Sequence, residues 1–368
     1  MIKILFFIET LTGGGAEKVL RNLVNNMDRD KFEITVQTVW PCDYKKYLVP
    51  GIRYKAMYGA HTSFNHLRYR IEAASGQAYR LHIKDDYDIE CAYLEAGTTK
   101  ILAGSTNKRA KKLAWVHCDL KKAVSDPEAF AEKTKSYYRK YDKTVCVSQN
   151  VENSFKELFG DSFPTTVVYN VIDDAEIKEK AAADIPKDIP KRRFTIISVG
   201  RLAAPKKYMR LLRIHKRLLD EGFAHDLWIL GEGPEREKLE KYISENALHE
   251  TVKLFGFCAN PYPFMQEADL VVCSSEYEGY STFISEAVIL GKPIVTTDCG
   301  GMQEILGDSE FGMITGNNEE ALYEGLRMML ADAAKREMYA QKASQRSKNF
   351  VTAQLVKQTE DFLLGLLG

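Results

Sequence analysis

The 368-residue sequence reads as two successive α/β domains of the doubly wound kind, each a parallel sheet with helices on both faces. Short β-branched or aromatic runs alternate with helix-like segments along nearly the whole chain. The runs are almost continuously apolar, as strands covered on both faces must be. A charged stretch carrying two prolines, 173–192, divides them into two sets and is expected as the interdomain linker.

In the first set the strands expected are 3–8 "KILFFI", 33–39 "EITVQTV", 88–93 "DIECAY", 112–117 "KLAWVH", 143–148 "KTVCVS" and 165–169 "TTVVY". The second set is 194–199 "FTIISV", 226–230 "DLWIL", 252–255 "VKLF", 269–273 "DLVVC", 293–297 "PIVTT" and 311–314 "FGMI". The domains are thus expected at 1–172 and 193–349. The amphipathic end, "FVTAQLVKQTEDFLLGLLG" (350–368), is expected as a helix returning to the first domain.

Bulk properties bound the function. With 45% apolar and 28% charged residues, the chain can bury a core and is not a disordered polymer. Formal net charge is zero, split as 26 basic against 20 acidic residues in 1–170 and 25 against 31 beyond. Seven cysteines form no C-x-x-C pair and mostly sit in strand-like runs. This favours a reducing cytoplasm over a disulfide framework. "MIKILFFIE" is too short an apolar run for a signal peptide, and no run approaches the ~18 residues of a membrane span. Any membrane contact is therefore expected to be peripheral.

Open α/β sheets bind ligands beyond the carboxyl ends of their strands, and those ends carry the chemistry of this sequence. After the first strand, Gly13, Gly14 and Gly15 precede a helix with Val19, Leu20, Leu23 and Val24 at helical spacing. Glycines there can let backbone approach an anion, or can simply make a turn. In the second half, Gly200 and Arg201 follow a strand, with Lys206 and Lys207 close behind. "LWILGEGPEREKL" and "PIVTTDCGGMQEIL" bring glycines to the same edge, which suits a diphosphate.

The stretch "SSEYEGYSTFISEAVILGKP" adds Glu278 and Glu286, eight residues apart, with Gly279 after the first. Ser281 is the expected N-cap, so Thr282 and Phe283 open the helix and can offer N–H groups to a phosphate. Carboxylates so near an anion need neutral hydroxyl partners, which ribose and sugar supply. The alternative is that acids complement the helix dipole, the role expected for Glu276.

These motifs together resemble the retaining glycosyltransferases of family 4, the glycosyl transferases group 1 type with the two-Rossmann GT-B fold. The resemblance rests on "TGGGAEKVL", "AWVH", "CVSQNV", "VGRLAAPKK", "LGEGPEREKLE", "EYEGYSTFISEA" and "GKPIVTTDCGGMQEI". It implies two domains facing across a cleft. Arg201 and Lys206 would hold the donor diphosphate, Glu286 the ribose and Glu278 the donor sugar. Gly15 would approach the phosphates or acceptor, and His117 the donor sugar; without the resemblance His117 reads as a core histidine. One departure stands out: Lys207 occupies the place of the family's glycine, so Lys206 and Lys207 could exchange roles.

The implied reaction moves a sugar from a nucleotide diphosphate, UDP by family habit, to a saccharide or lipid-linked saccharide in bacterial capsule or exopolysaccharide synthesis. No metal or other cofactor is expected, since no D-x-D closes a strand. A nucleic-acid partner is not expected either. "STNKRAKKLAWVH" and "KTKSYYRKYDK" set cations beside aromatics and suggest an anionic membrane surface, or else solvated helix faces. Two rivals share the architecture: a GT-B nucleotide-sugar 2-epimerase and a non-catalytic accessory subunit binding a sugar nucleotide.

Overall fold

The computed structural model describes residues 1–12, 14–186 and 193–368. The chain divides into two compact units, Met1–Ile172 with Thr352–Gly368, and Asp173–Val351.

The first unit holds seven strands: β1 (Ile2–Ile8), β2 (Phe32–Thr38), β3 (Arg53–Ala56), β4 (Ile89–Ala92), β5 (Lys111–Val116), β6 (Lys143–Cys146) and β7 (Thr165–Val167). They lie in the order β3-β2-β1-β4-β5-β6-β7 with every pair parallel. Ile4, Leu5, Phe6, Phe7 and Ile8 are all fully buried, which is why β1 shows no in–out alternation. Helix α1 (Gly15–Asn26) buries Val19, Leu20, Leu23 and Val24, the stripe its sequence set out. Helix α2 (Ser63–Ala74) buries nothing.

The second unit has six parallel strands: β8 (Phe194–Val199), β9 (His225–Leu230), β10 (Val252–Gly256), β11 (Leu270–Cys273), β12 (Ile294–Thr297) and β13 (Met313–Thr315). Their order is β10-β9-β8-β11-β12-β13. In each sheet the strand order reverses once, at β1/β4 and at β8/β11. At such a reversal the connections diverge to opposite faces and leave a crevice at the carboxyl edge.

Two elements differ from expectation. β3, "RYKA", is an edge strand paired only with β2, and its two cations, Arg53 and Lys55, leave it no apolar run. The stretch 173–192 is not simply a linker: Asp174–Ala181 is a helix of the second unit, buried through Ile177 and Ala181 alone. Its sequence is mostly charged because so little of it faces protein. Residues 187–192 of that stretch lie outside the described residues. The final helix, Thr352–Gly365, belongs to the first unit, where Glu360 accepts a hydrogen bond from the Asp28 amide at 2.6 Å. Among the described residues no helix is long and apolar enough to cross a membrane.

A pair of histidines sits in the core of the second unit. His215 Nδ1 lies 2.8 Å from His225 Nε2, and His215 Nε2 lies 3.0 Å from the Thr251 hydroxyl. Burial, then the neighbouring His225, pushes His215 from 6.5 down to about 3, and burial lowers His225 too. Both therefore stay neutral in the fold while the unfolded chain takes up protons. Stability is retained above about pH 6.5 and lost as pH falls toward 3, by up to about 1.4 kcal/mol per pH unit for each histidine. Urea titrations at pH 7.5 and 5.0 should show the second unit weakened at pH 5.0. A His215→Gln variant should show a shallower pH slope.

Candidate functional site

The reversal point of the second sheet gathers most of the residues singled out above. Beyond β8 the chain passes Gly200 and Arg201, makes a single 3-10 turn at Ala204–Lys206, and enters the helix Tyr208–Asp220. The β9 loop lies directly on this segment. A Cβ at Gly231, whose φ is +144, would fall 1.9 Å from the Gly200 carbonyl oxygen. "GEG" is thus a close-packing device, and only glycine fits its first position.

The loop after β11 closes the site from the other side. Lys206 Nζ is 2.6 Å from Glu278 Oε1, and the Ser275 hydroxyl donates to the same oxygen at 2.6 Å. Burial opposes the Lys206 charge, but the Glu278 carboxylate outweighs it and raises the ammonium above its ordinary value. The loop is pinned from beneath: Arg210 donates to the Ser274 carbonyl at 2.6 Å, and Asn317 donates to the Glu276 carbonyl at 2.8 Å. The Ser274 hydroxyl donates to the Lys206 carbonyl at 2.7 Å, tying the two loops together.

Lys207 does not share this position. Its Nζ pairs with Glu276 at 2.7 Å on the surface, where both side chains are over a third exposed. Glu276, expected to complement a helix dipole, meets this lysine, which is itself the N-cap of the helix Tyr208–Asp220. Lys207 also has φ 51 and ψ 38, the left-handed region. A glycine in this place carries no Cβ penalty there, so the departure from the family pattern costs strain and leaves Lys206 as the inward cation.

Ser281 caps the next helix, Thr282–Ile289, accepting from the Ile284 amide at 3.3 Å. Thr282 and Phe283 are its first two residues, whose amides have no acceptor within the helix. Glu286 lies one turn in and is 4% exposed. Gly279 abuts Gly301, where a Cβ would lie 2.8 Å from the Gly279 carbonyl oxygen. Arg201 is exposed and makes no ion pair among the described residues. Phe257, one residue past β10, is 65% exposed although it is a large apolar side chain at the ligand edge. An aromatic directly after a strand-end glycine is the signal by which the sequence marks it.

In the first unit, Gly13 lies outside the described residues. Gly14 is the N-cap of α1 and Gly15 its first residue. The Glu17 carboxylate folds back over them: Thr10 and Thr12 hydroxyls each donate to it at 3.3 Å, and a Cβ at Gly14 would meet it at 2.1 Å. An anion reaching this helix start must displace Glu17.

His117 stands at the carboxyl end of β5, its ring 4.8 Å from that of Tyr93. Burial holds it neutral, down to about 3, and its buried Nε2 has no partner among the described residues. Glu95, which the sequence reading passed over, accepts from the backbone amides of both His117 and Cys118. Ala96 follows it at φ 63 and ψ −101, a sharp turn into the helix Gly97–Leu102. The basic stretches expected to show cations beside aromatics differ in part, because Trp115 and Tyr138 are both 2% exposed and belong to the core. Among the described residues no group of three His, Cys, Asp or Glu is placed to hold a metal ion.

Residues 13–176 match the family described as Glycosyltransferase Family 4, and residues 179–346 match Glycosyl transferases group 1. The chain belongs to this glycosyltransferase family. It is 36% identical over 201 residues to the N-acetylgalactosamine-N,N'-diacetylbacillosaminyl-diphospho-undecaprenol 4-alpha-N-acetylgalactosaminyltransferase of Campylobacter jejuni, covering 54% of this chain and 53% of that protein. It is 27% identical over 202 residues to the lipopolysaccharide core biosynthesis glycosyltransferase LpsD of Rhizobium meliloti, covering 55% and 57%. The chain thus spans a little over half the length of these relatives. The Anabaena protein HepE, solved with UDP and glucose, shares the fold with a TM-score of 0.77 at 20% identity, over 99% of this chain and 100% of that one. The fold is GT-B, two Rossmann-like α/β domains.

The left-handed Lys207 gives a stability test. Lys207→Gly should raise the melting temperature by a few degrees, since relief of about 1 kcal/mol exceeds the worth of an exposed ion pair. Lys207→Val, with a β-branched side chain in the same place, should lower it.

Proposed function

We propose that this chain transfers a sugar from a nucleotide diphosphate donor, UDP-linked, to a saccharide or lipid-linked saccharide acceptor in bacterial surface polysaccharide or glycan synthesis. The observation carrying this reading is the Lys206–Glu278–Ser275 contact across the β8/β11 crevice. It sets a charged ammonium against a carboxylate four residues ahead of the Thr282 helix, with Arg201 near in sequence. A nucleotide sugar needs those three kinds of group.

In this reading the diphosphate takes Lys206 from Glu278 and adds Arg201. Glu278, released from its cation, accepts hydrogen bonds from donor-sugar hydroxyls, and Glu286 accepts from the ribose. Phe257 offers its face to the base. The two cations and the helix amides stabilise the negative charge that builds on the departing nucleotide, so no metal is required. Departure and attack on one face of the sugar give retention, with the donor phosphate taking the acceptor proton. Neutral His117 presents a bare ring nitrogen that can accept from a sugar hydroxyl. The names of the relatives, one acting on a diphospho-undecaprenol glycan and one in lipopolysaccharide core synthesis, support a membrane-borne acceptor. An epimerase or a non-catalytic subunit is less favoured, since neither calls for an acceptor like those two names describe.

A thermal-shift panel of UDP, GDP and ADP with their sugars, in a chelator, tests the donor reading. UDP compounds should raise the melting temperature by mass action. No shift from any nucleotide in a folded sample would defeat the proposal. Arg201→Ala should lower kcat/KM for transfer by roughly 100-fold or more. Phe257→Ala should raise the donor KM with a smaller effect on kcat.

A further inference from the structure

Helix α2 is packed inside out. A helix lying on a sheet normally turns its apolar stripe to the core. In α2, Phe64, Leu67 and Ile71 are 68%, 56% and 57% exposed. At 3.6 residues per turn these three fall within an arc of about 60°. The opposite, polar side does the packing. His66 and Tyr69 lie against Trp40, with ring centroids 4.2 and 5.7 Å away. Glu72 accepts from the Tyr58 hydroxyl at 2.5 Å and lies 2.7 Å from His82 Nε2. The outward face is therefore fixed by contacts on the inward one.

Cations border the stripe. Arg68 lies beyond Phe64 on one side and Arg70 beyond Leu67 on the other, and the helix Ala78–His82 adds exposed Arg80 and Leu81. Residues 60–84 contain four Arg or Lys and a single acid, Glu72. That acid is already engaged with Tyr58, His82 and Arg68.

We propose that α2 docks this chain on an anionic lipid bilayer, with Phe64, Leu67 and Ile71 immersed and Arg68 and Arg70 on lipid phosphates. An apolar stripe bordered by cations is the arrangement of an interfacial helix. A second copy fits less well. Two-fold packing of the stripe on itself sets Arg68 and Arg70 against their own kind, and three side chains supply little of the roughly 800 Å² per partner that a stable interface buries. The contact between Trp40, just beyond β2, and His66 places the start of α2 at the carboxyl edge of the first sheet. Lipid bound there would present an anchored acceptor to that edge. The inference extends the reading of a lipid-borne acceptor, but its test reads lipid binding and not transfer, so the two can fail separately.

Flotation of the full chain with phosphatidylcholine vesicles, with and without phosphatidylglycerol, is the test. The chain should float with phosphatidylglycerol vesicles at low salt and less at high salt. A Phe64→Glu/Ile71→Glu double variant should lose at least about tenfold of that binding. Its melting temperature should not change, since both positions are exposed, and Lys241→Glu, at an exposed cation of the second unit, should float like the parent. A parent chain that stays unbound at low salt would overturn the proposal, as would a double variant that floats equally well. A parent dimer in light scattering that the double variant abolishes would assign the stripe to a second copy and also overturn it.

Discussion

A parallel sheet delivers every strand's carboxyl end to one edge, and the rest of this molecule follows from that constraint. At β8/β11 the helical connections diverge, and two loops meet there. Lys206 comes from one loop and Glu278 from the other, 2.6 Å apart. At an effective dielectric near 20 such a contact is worth roughly 6 kcal/mol before desolvation is subtracted. The attraction is enough to hold the loops in register and small enough for a doubly charged ligand to replace. Arg210 and Asn317 beneath the loops, and Gly231 and Gly301 beside them, serve this one contact.

The first sheet obeys the same constraint with different content. At its reversal, β1/β4, Glu17 covers one loop and Glu95 braces the backbone beyond β5. Acids stand here where the second unit has cations, despite the basic balance of residues 1–170. Carboxylates and a neutral histidine suit hydroxyls better than phosphates. In the proposed reading the second unit grips the charged donor and the first meets a neutral sugar.

Much of this was readable from residues alone, for physical reasons. Strands buried on both faces must be apolar throughout, so "KILFFI" or "DLVVC" could hardly be anything else. β3 escaped because an edge strand needs no apolar run, and Asp174–Ala181 because a helix buried through two residues looks like linker. The family pattern singled out Lys206 and Glu278. Their mutual ion pair was not legible, since it depends on two loops separated by 72 residues. Lys207 could be flagged as an oddity, but only its backbone angles explain what glycine does there. The outward stripe of α2 was invisible because Phe64, Leu67 and Ile71 have the spacing of an ordinary core face. Sequence periodicity shows that a helix has an apolar side, not which way that side points.

The central claim is that the β8/β11 crevice binds a nucleotide diphosphate by exchanging Glu278 for phosphate on Lys206. A crystal structure with UDP bound tests it most directly. The account predicts pyrophosphate oxygens within about 3 Å of Lys206 Nζ and the Arg201 guanidinium, with the Lys206–Glu278 contact opened. UDP bound elsewhere, or in the crevice with that ion pair intact, would contradict it.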